Sequence, residues 1–179
     1  MSRVKFILPA AEHESYILDY IKEHDNFREP CLGFADFSNY GEWLEQQVRR
    51  REKLNLQPNE FPSTLYLVFN EFSQLIGISN FKTDLPEELL QHIGHIGYAI
   101  RPHQRNKGYA TELLRECLPL AKSMGLNIVL ITCNESNIAS AKVIEKNNGV
   151  FENNLYVENE QITVKRYWIS LENEEKELS

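Results

Sequence analysis

The 179-residue chain is 42% hydrophobic and 25% charged with a formal net charge of −7, the proportions of a domain that buries its own core rather than of a disordered segment. The acidic balance argues against a broad cationic face for nucleic acid or anionic lipid. Cys31, Cys117 and Cys133 are odd in number, far apart and without C-x-x-C spacing, which excludes a disulfide framework and points to free core thiols in a reducing compartment.

The opening residues, MSRVKFILPAAEHESY, hold only a short apolar run before Pro9. That is too short for a secretory signal, and no later stretch approaches the ~20 apolar residues of a membrane span, so the expected location is the cytoplasm. Residues 4–8 read as a first strand. Residues 11–24 place His13, Ile17, Tyr20, Ile21 and His24 at helical spacing. A second helix begins at Asn39, an N-cap with Glu42 three residues on, and its apolar face is Tyr40, Trp43, Leu44, Val48 and Leu54. Residues 64–70 and 74–81 form a β-hairpin around the polar break EFS. The loop TDLPEELLQ follows, and residues 92–100 read as a strand whose Gly94 and Gly97 mark a bulge or a close backbone approach.

The period then changes. Ala110, Leu113, Leu114, Cys117, Leu118, Ala121 and Met124 follow i, i+3, i+4, i+7, a long amphipathic helix with a kink expected at Pro119 and an end at Gly125. Residues 128–133 are continuously apolar, as in a strand covered on both faces and paired in parallel through a helical crossover. A further helix spans about 137–147 and closes at Gly149, residues 150–157 and 161–171 form a last hairpin around ENEQ, and residues 172–179 read as a frayed tail. One α/β (α+β) domain, 1–179, is expected, with no repeat and no linker.

The long helix opens with HQRNKGYATELL. The first turn of a helix carries backbone N–H groups without intrahelical partners and the positive end of the dipole, so it can hold an anion. Gly108 lets a phosphate approach the backbone, Ala110 keeps the next face small, Arg105 and Lys107 add charge and Thr111 offers a hydroxyl. The same local pattern also suits an ordinary loop-to-helix junction with solvated cations. The spacings of a P-loop and of a Rossmann fingerprint are both absent.

The string IRPHQRNKGYATELL resembles the acetyl-CoA loop, [QR]-x-x-G-x-[GA], of the GNAT N-acetyltransferase superfamily, and TCNESNIASAKVIEKNNGVFEN is similar to its later N-x-x-S-x-x-x-x-E-K-x-G region. The resemblance covers essentially the whole chain. It implies a mixed, mostly antiparallel sheet of about seven strands, splayed at its central parallel pair and flanked by about four helices. It also implies acetyl-CoA as co-substrate, lying between residues 92–100 and 128–133. The pantetheine arm would pair with the backbone of Tyr98 and Ile100. The diphosphate would sit on the amides of Arg105, Asn106, Lys107, Gly108, Tyr109 and Ala110, and Asn137 and Ser140 would contact the cofactor from the other side.

The implied reaction is direct attack by a bound primary amine of a small molecule or peptide, in a monomer or homodimer that uses neither nucleic acid nor membrane. Two positions depart from the pattern. Where many members carry a catalytic Glu this chain has Gly94, with His95 beside it as the candidate base; where many carry a Tyr acid, seven residues after Asn137, it has Ile144. Another tyrosine, such as Tyr98 or Tyr109, or water alone could serve as the acid, and the sequence does not choose between them. NNGVF is one residue longer than the usual junction. Cys133 in an apolar strand reads as an inert thiol rather than a nucleophile. His92 and His95, three apart on a strand, would face opposite ways, a poor metal pair. The acceptor is expected to be chosen by the amino-terminal helices and the 82–91 loop, where Glu87, Glu88 and the acidic balance favour a cationic amine. The two departures also leave open a non-catalytic acyl-CoA-binding or sensor domain.

Overall fold

The computed structural model describes residues 2–27, 32–34, 37–58 and 60–172. Cys31 and nearly all of the expected tail, 173–179, lie outside them. Among the described residues the strands are β1 (Val4–Ile7), β2 (Thr64–Asn70), β3 (Leu75–Phe81), β4 (Ile96–Ile100), β5 (Ile128–Asn134), β6 (Val150–Val157) and β7 (Ile162–Ser170). The helices are α1 (Glu14–Phe27), α2 (Tyr40–Glu52), α3 (Glu87–Ile93), α4 (Tyr109–Ser123) and α5 (Ile138–Glu145), with 3-10 turns at Ala11–His13 and Pro102–Gln104. No helix among the described residues is long and apolar enough to cross a membrane.

Two antiparallel sheets result, ordered β1-β2-β3-β4 and β5-β7-β6. The apolar stripe of α4, with Leu113, Leu114, Cys117 and Ala121 buried, packs with Ile144 of α5 against Val68, Ile96, Val129 and Ile131. Each fully buried aliphatic side chain there contributes about 1.5–3 kcal/mol. On the other face of the first sheet, Ile17 and Tyr20 of α1 and Trp43 of α2 close a second core with Leu67, Leu75 and Ile78. The first sheet is therefore covered on both sides, and its outer strand β4 lies between the two layers.

Several expectations are corrected. The 82–91 loop contains a fifth helix, α3, which takes His92 and Ile93 out of the expected strand. So short a helix depends on tertiary partners. Its last carbonyls are held from outside, His92 O by Thr132 Oγ1 (2.8 Å) and Gln91 O by Arg166 Nη1 (2.8 Å). Pro119 does not interrupt α4: Arg115, whose carbonyl loses its partner, is exposed, so water can replace the missing bond. Leu54 is 56% exposed and off the apolar face of α2, because Lys53 turns left-handed (φ 56) and ends the helix. Asn39 caps α2 as expected, its Oδ1 accepting from Glu42 N (2.9 Å). In NNGVF it is Asn148 that takes the left-handed turn (φ 64), while Gly149 lies so close to Ile144 that an added Cβ would meet Ile144 Cγ2 at 2.4 Å.

Candidate active site between the two sheets

β4 and β5 do not share a strand ladder; they meet at His95 and then part. The His95 backbone N–H donates to Leu130 O (2.8 Å), and Leu130 N–H donates to His95 Nδ1 (2.8 Å). Gly94 makes this contact possible. It ends α3 with φ 71, and a Cβ there would lie 2.8 Å from Leu130 O, so a residue with a side chain would force the strands apart. Gly97 has only ordinary side-chain neighbours and no such close approach. From Ile96 onward β4 pairs with β3 alone, leaving its other edge without a neighbouring strand.

The gap widens into a cleft of about 1010 Å³. One wall is β4 from Tyr98 to Ile100, another is the loop that opens α4, and the third is the first turns of α5. Gly108 is the N-cap of α4 with φ 83, and Asn106 is also left-handed (φ 63). Asn106 and Gly108 both line the cleft, and the first-turn N–H groups of α4 have no carbonyl within the helix to bond. Asn137 caps α5, its Oδ1 accepting from Ser140 N (3.0 Å).

Ten of the eleven residues expected to hold the cofactor line this cleft: Tyr98 and Ile100, then Arg105, Asn106, Gly108, Tyr109, Ala110 and Thr111, and across from them Asn137 and Ser140. Lys107 does not; its Nζ donates to Gln104 Oε1 (2.9 Å) on the exposed side of the loop. The sequence reading missed Lys142 and Lys146, which line the cleft from α5. Their i, i+4 spacing behind Asn137 was the only sign that they share a face. The cleft is thus lined by three cations, with Arg105, and none of its described lining residues is acidic. Arg105 Nε also donates to Ile100 O (3.0 Å), tying the loop to the end of β4.

The catalytic candidates separate on geometry. His95 sits at the junction rather than among the cleft-lining residues, and burial lowers its pKa. With Nδ1 accepting from Leu130, the neutral ring carries its proton on Nε2. His92 is on α3, with Nδ1 at 3.1 Å from Glu88 O and Nε2 facing Glu160 at 3.8 Å, and it forms no metal pair with His95. Among the described residues no group of three or more His, Cys, Asp or Glu could hold a metal.

Ile144 is wholly buried in the α4–α5 core, so the position that carries an acid in many family members does packing here. The two remaining tyrosines differ. Tyr109 donates to Glu71 Oε2 (3.3 Å), on the β2–β3 turn, whereas Tyr98 OH lies within 2.9 Å of Ser140 Oγ across the cleft. Burial raises the pKa of Tyr98, as it does for Cys133, which keeps that thiol in its protonated, unreactive form.

A polar cluster steadies the loop that opens α4. Glu23 of α1 accepts from Arg101 Nε at Oε2 (2.5 Å) and from His103 N (2.8 Å) at Oε1, which also lies 2.9 Å from His103 Nδ1. Glu112, in the first turn of α4, accepts from Arg3 Nε (2.8 Å), and the Arg3 guanidinium lies 4.8 Å from the Tyr109 ring centre.

Comparison with known proteins places this architecture. Residues 11–150 match the model of the acetyltransferase (GNAT) domain. A stretch of 57 residues is 37% identical to an uncharacterized N-acetyltransferase, YnaD, of Bacillus subtilis (strain 168), covering 31% of this chain and 34% of that protein, about a third of its length. Among solved structures, the microcin C7 self-immunity acetyltransferase MccE in complex with acetyl-CoA and AMP superposes with a TM-score of 0.68 at 15% identity, over 94% of this chain and 92% of its own. An acetyltransferase from Salmonella typhimurium that modifies the N-terminal serine of ribosomal protein L7/L12 gives 0.70 at 14% identity, over 96% and 97%. At such identities the likeness is one of fold. The matched model, however, reaches from the turn before α1 to the start of β6 and encloses the whole cleft, and the chain belongs to the acetyltransferase (GNAT) domain family.

Proposed function

We propose that the protein is an acetyl-CoA-dependent N-acetyltransferase in which a bound primary amine attacks directly. The observation that carries this reading is the charge of the cleft: Arg105, Lys142 and Lys146 line it and no described acidic residue does, in a chain whose net charge is −7. Such local inversion of charge is what a polyanionic cofactor requires. The open amides of the α4 N-terminus and Arg105 suit its diphosphate. The free edge of β4 suits an extended arm with peptide-like groups, held as an added strand.

Bound acetyl-CoA supplies the acetyl group as a thioester: the amine nitrogen gains the acetyl carbon, the C–S bond breaks, and the thiol leaves with a proton given up by the amine. The chain's own groups orient and protonate. Tyr98, whose raised pKa keeps its hydroxyl protonated, is the donor facing the cleft. His95 acts as a positioning residue that sets where the two sheets part, because its Nδ1 lone pair is already used by Leu130. Cys133 has no covalent role.

The buried Ile144 and the engaged His95 favour one alternative, a non-catalytic acyl-CoA-binding domain. Calorimetric titration with CoA, together with thiol release from acetyl-CoA over a broad amine and peptide panel, tests both. Micromolar CoA binding with turnover of at least one amine is the expected result. Binding without turnover establishes the alternative, and absence of binding overturns both readings.

A further inference from the structure

On the sheet face opposite the cleft, β3 and the residue that follows it carry polar groups that no part of the described protein satisfies. Asn80 of β3 pairs with Gly97 of β4, and its Oδ1 is buried without a hydrogen-bond partner. Lys82 continues the same strand, its backbone N–H donating to His95 O (2.8 Å). Two residues on from Asn80, it projects to the same face of the sheet. Its Nζ lies 3.6 Å from the position of a Cβ on Gly97, beside Leu32 Cδ2 at 3.5 Å, so the lysine head and Leu32 together lie over that residue at ordinary contact distance. The sheet face is the one packed by α1 and α2, as Ile78 and Ala99 show.

No hydrogen bond or ion pair reaches Lys82 Nζ among the described residues, and the carboxylates of Asp84, two residues on, and of Glu60, beside Arg50, are committed elsewhere. Asp84 pairs with Lys53 (3.2 Å), and Glu60 takes Gln46 Nε2 (2.9 Å) and Arg49 Nη2 (3.4 Å), with Arg50 Nη2 at 3.8 Å. Arg50 Nε is itself buried without a partner. Burial first, and the charge of Arg50 second, pull the Lys82 pKa down to about 8. A cation in that state is one that a bound anion would relieve. Glu87 and Glu88, the acidic residues that favour a cationic acceptor on sequence grounds, are exposed in the first turn of α3, where they complement the helix dipole.

Gly97 is adjacent to Tyr98, which lines the cleft from the opposite side of the same strand. A molecule held over Gly97 at Asn80 and Lys82 is therefore separated from the cleft by the single strand β4. We propose that this face is the acceptor site and that it selects primary amines that also carry an anionic group, with Lys82 holding the anion and the Asn80 carbonyl accepting from the amine. This deepens the acetyltransferase reading and rests on it.

The test uses matched pairs of amines that differ only in the anion: glycine and glycinamide, β-alanine and propylamine, O-phosphoethanolamine and ethanolamine, with spermidine as a polycation. Thiol release from acetyl-CoA is measured for the wild type, Lys82→Met and Lys82→Arg, with CoA affinity and an unliganded melt recorded for each. We expect kcat/KM for at least one anionic member to exceed that of its uncharged partner by roughly 10- to 100-fold, the worth of one charge-assisted hydrogen bond. Lys82→Met should erase that preference with CoA affinity unchanged, and Lys82→Arg should retain most of it. The carboxylate and phosphate pairs tell which anion is read. Preference for uncharged or polycationic amines, or a preference that survives Lys82→Met, overturns the assignment and leaves the acetyltransferase reading standing. Intact CoA binding without thiol release from any member overturns both.

Discussion

Replacement of His95 separates a structural clamp from a base. In His95→Ala the Leu130 N–H, buried under a residue 1% exposed, loses its acceptor. An orphaned buried donor costs about 1–3 kcal/mol, and the space left by the ring adds to it, for roughly 2–4 kcal/mol in all. For a domain of this size that corresponds to a melting temperature lower by roughly 5–15 °C. His95→Asn is the informative partner, since its side-chain oxygen can take the place of Nδ1 but cannot titrate. We expect His95→Asn to recover most of the stability and to keep turnover within about threefold of wild type, whereas loss of a general base costs about 10²- to 10⁴-fold. A normal melt with turnover down a hundredfold or more would refute the clamp. A pH series adds a second readout. Burial lowers the His95 pKa, so the native ring binds fewer protons than the unfolded one. Its stabilising contribution is complete above the unfolded value of about 6.5 and is lost as pH falls from there through the lower folded value. His95→Asn should flatten that part of the profile.

Gly108→Val places a branched residue at φ 83, although the nearest atom to an added Cβ is Arg3 Nη2 at 3.5 Å. The cost is therefore mainly backbone strain, about 1–2 kcal/mol, with a small drop in the unliganded melt; CoA affinity should fall by roughly two orders of magnitude through loss of the amide cradle, and unchanged affinity by calorimetry would mean that the diphosphate lies elsewhere. Glu23→Gln should cost about 1–3 kcal/mol by weakening the bonds to Arg101 and His103 that hold the 101–104 turn. Burial alone would raise the Glu23 pKa, but the hydrogen bonds from His103 and Arg101 outweigh it and the net shift is downward. Its contribution is therefore present above the unfolded value of about 4.3 and fades as pH falls through the lower folded one. Melts across pH 3 to 7 should show that acid-side loss in the wild type and a shallower one in the variant; coincident profiles would remove Glu23 from the loop's support.

The features readable in the sequence are those whose parts are neighbours in the chain. HQRNKGYATELL declares a helix start and a candidate anion site because such a site is made of consecutive backbone amides, and the i, i+3, i+4 stripe from Ala110 to Met124 declares which side of that helix is buried. Asn39 and Asn137 announce their helices because a cap reaches only three residues forward. What tertiary structure alone decided depends on residues far apart. The ring of His95 is committed by Leu130, 35 residues on, and the Tyr98 hydroxyl is brought to Ser140, 42 residues on, while Tyr109, with the same side chain, turns to Glu71. The helix hidden in TDLPEELLQ exists because Thr132 and Arg166 receive its last carbonyls. Lys82 reads as an ordinary surface lysine until Gly97 is found beneath it and the carboxylates of Asp84 and Glu60 are found bound to other cations. The charge state and role of a titratable group follow from burial and partners, and those are properties of the packed chain, which local spacing does not encode.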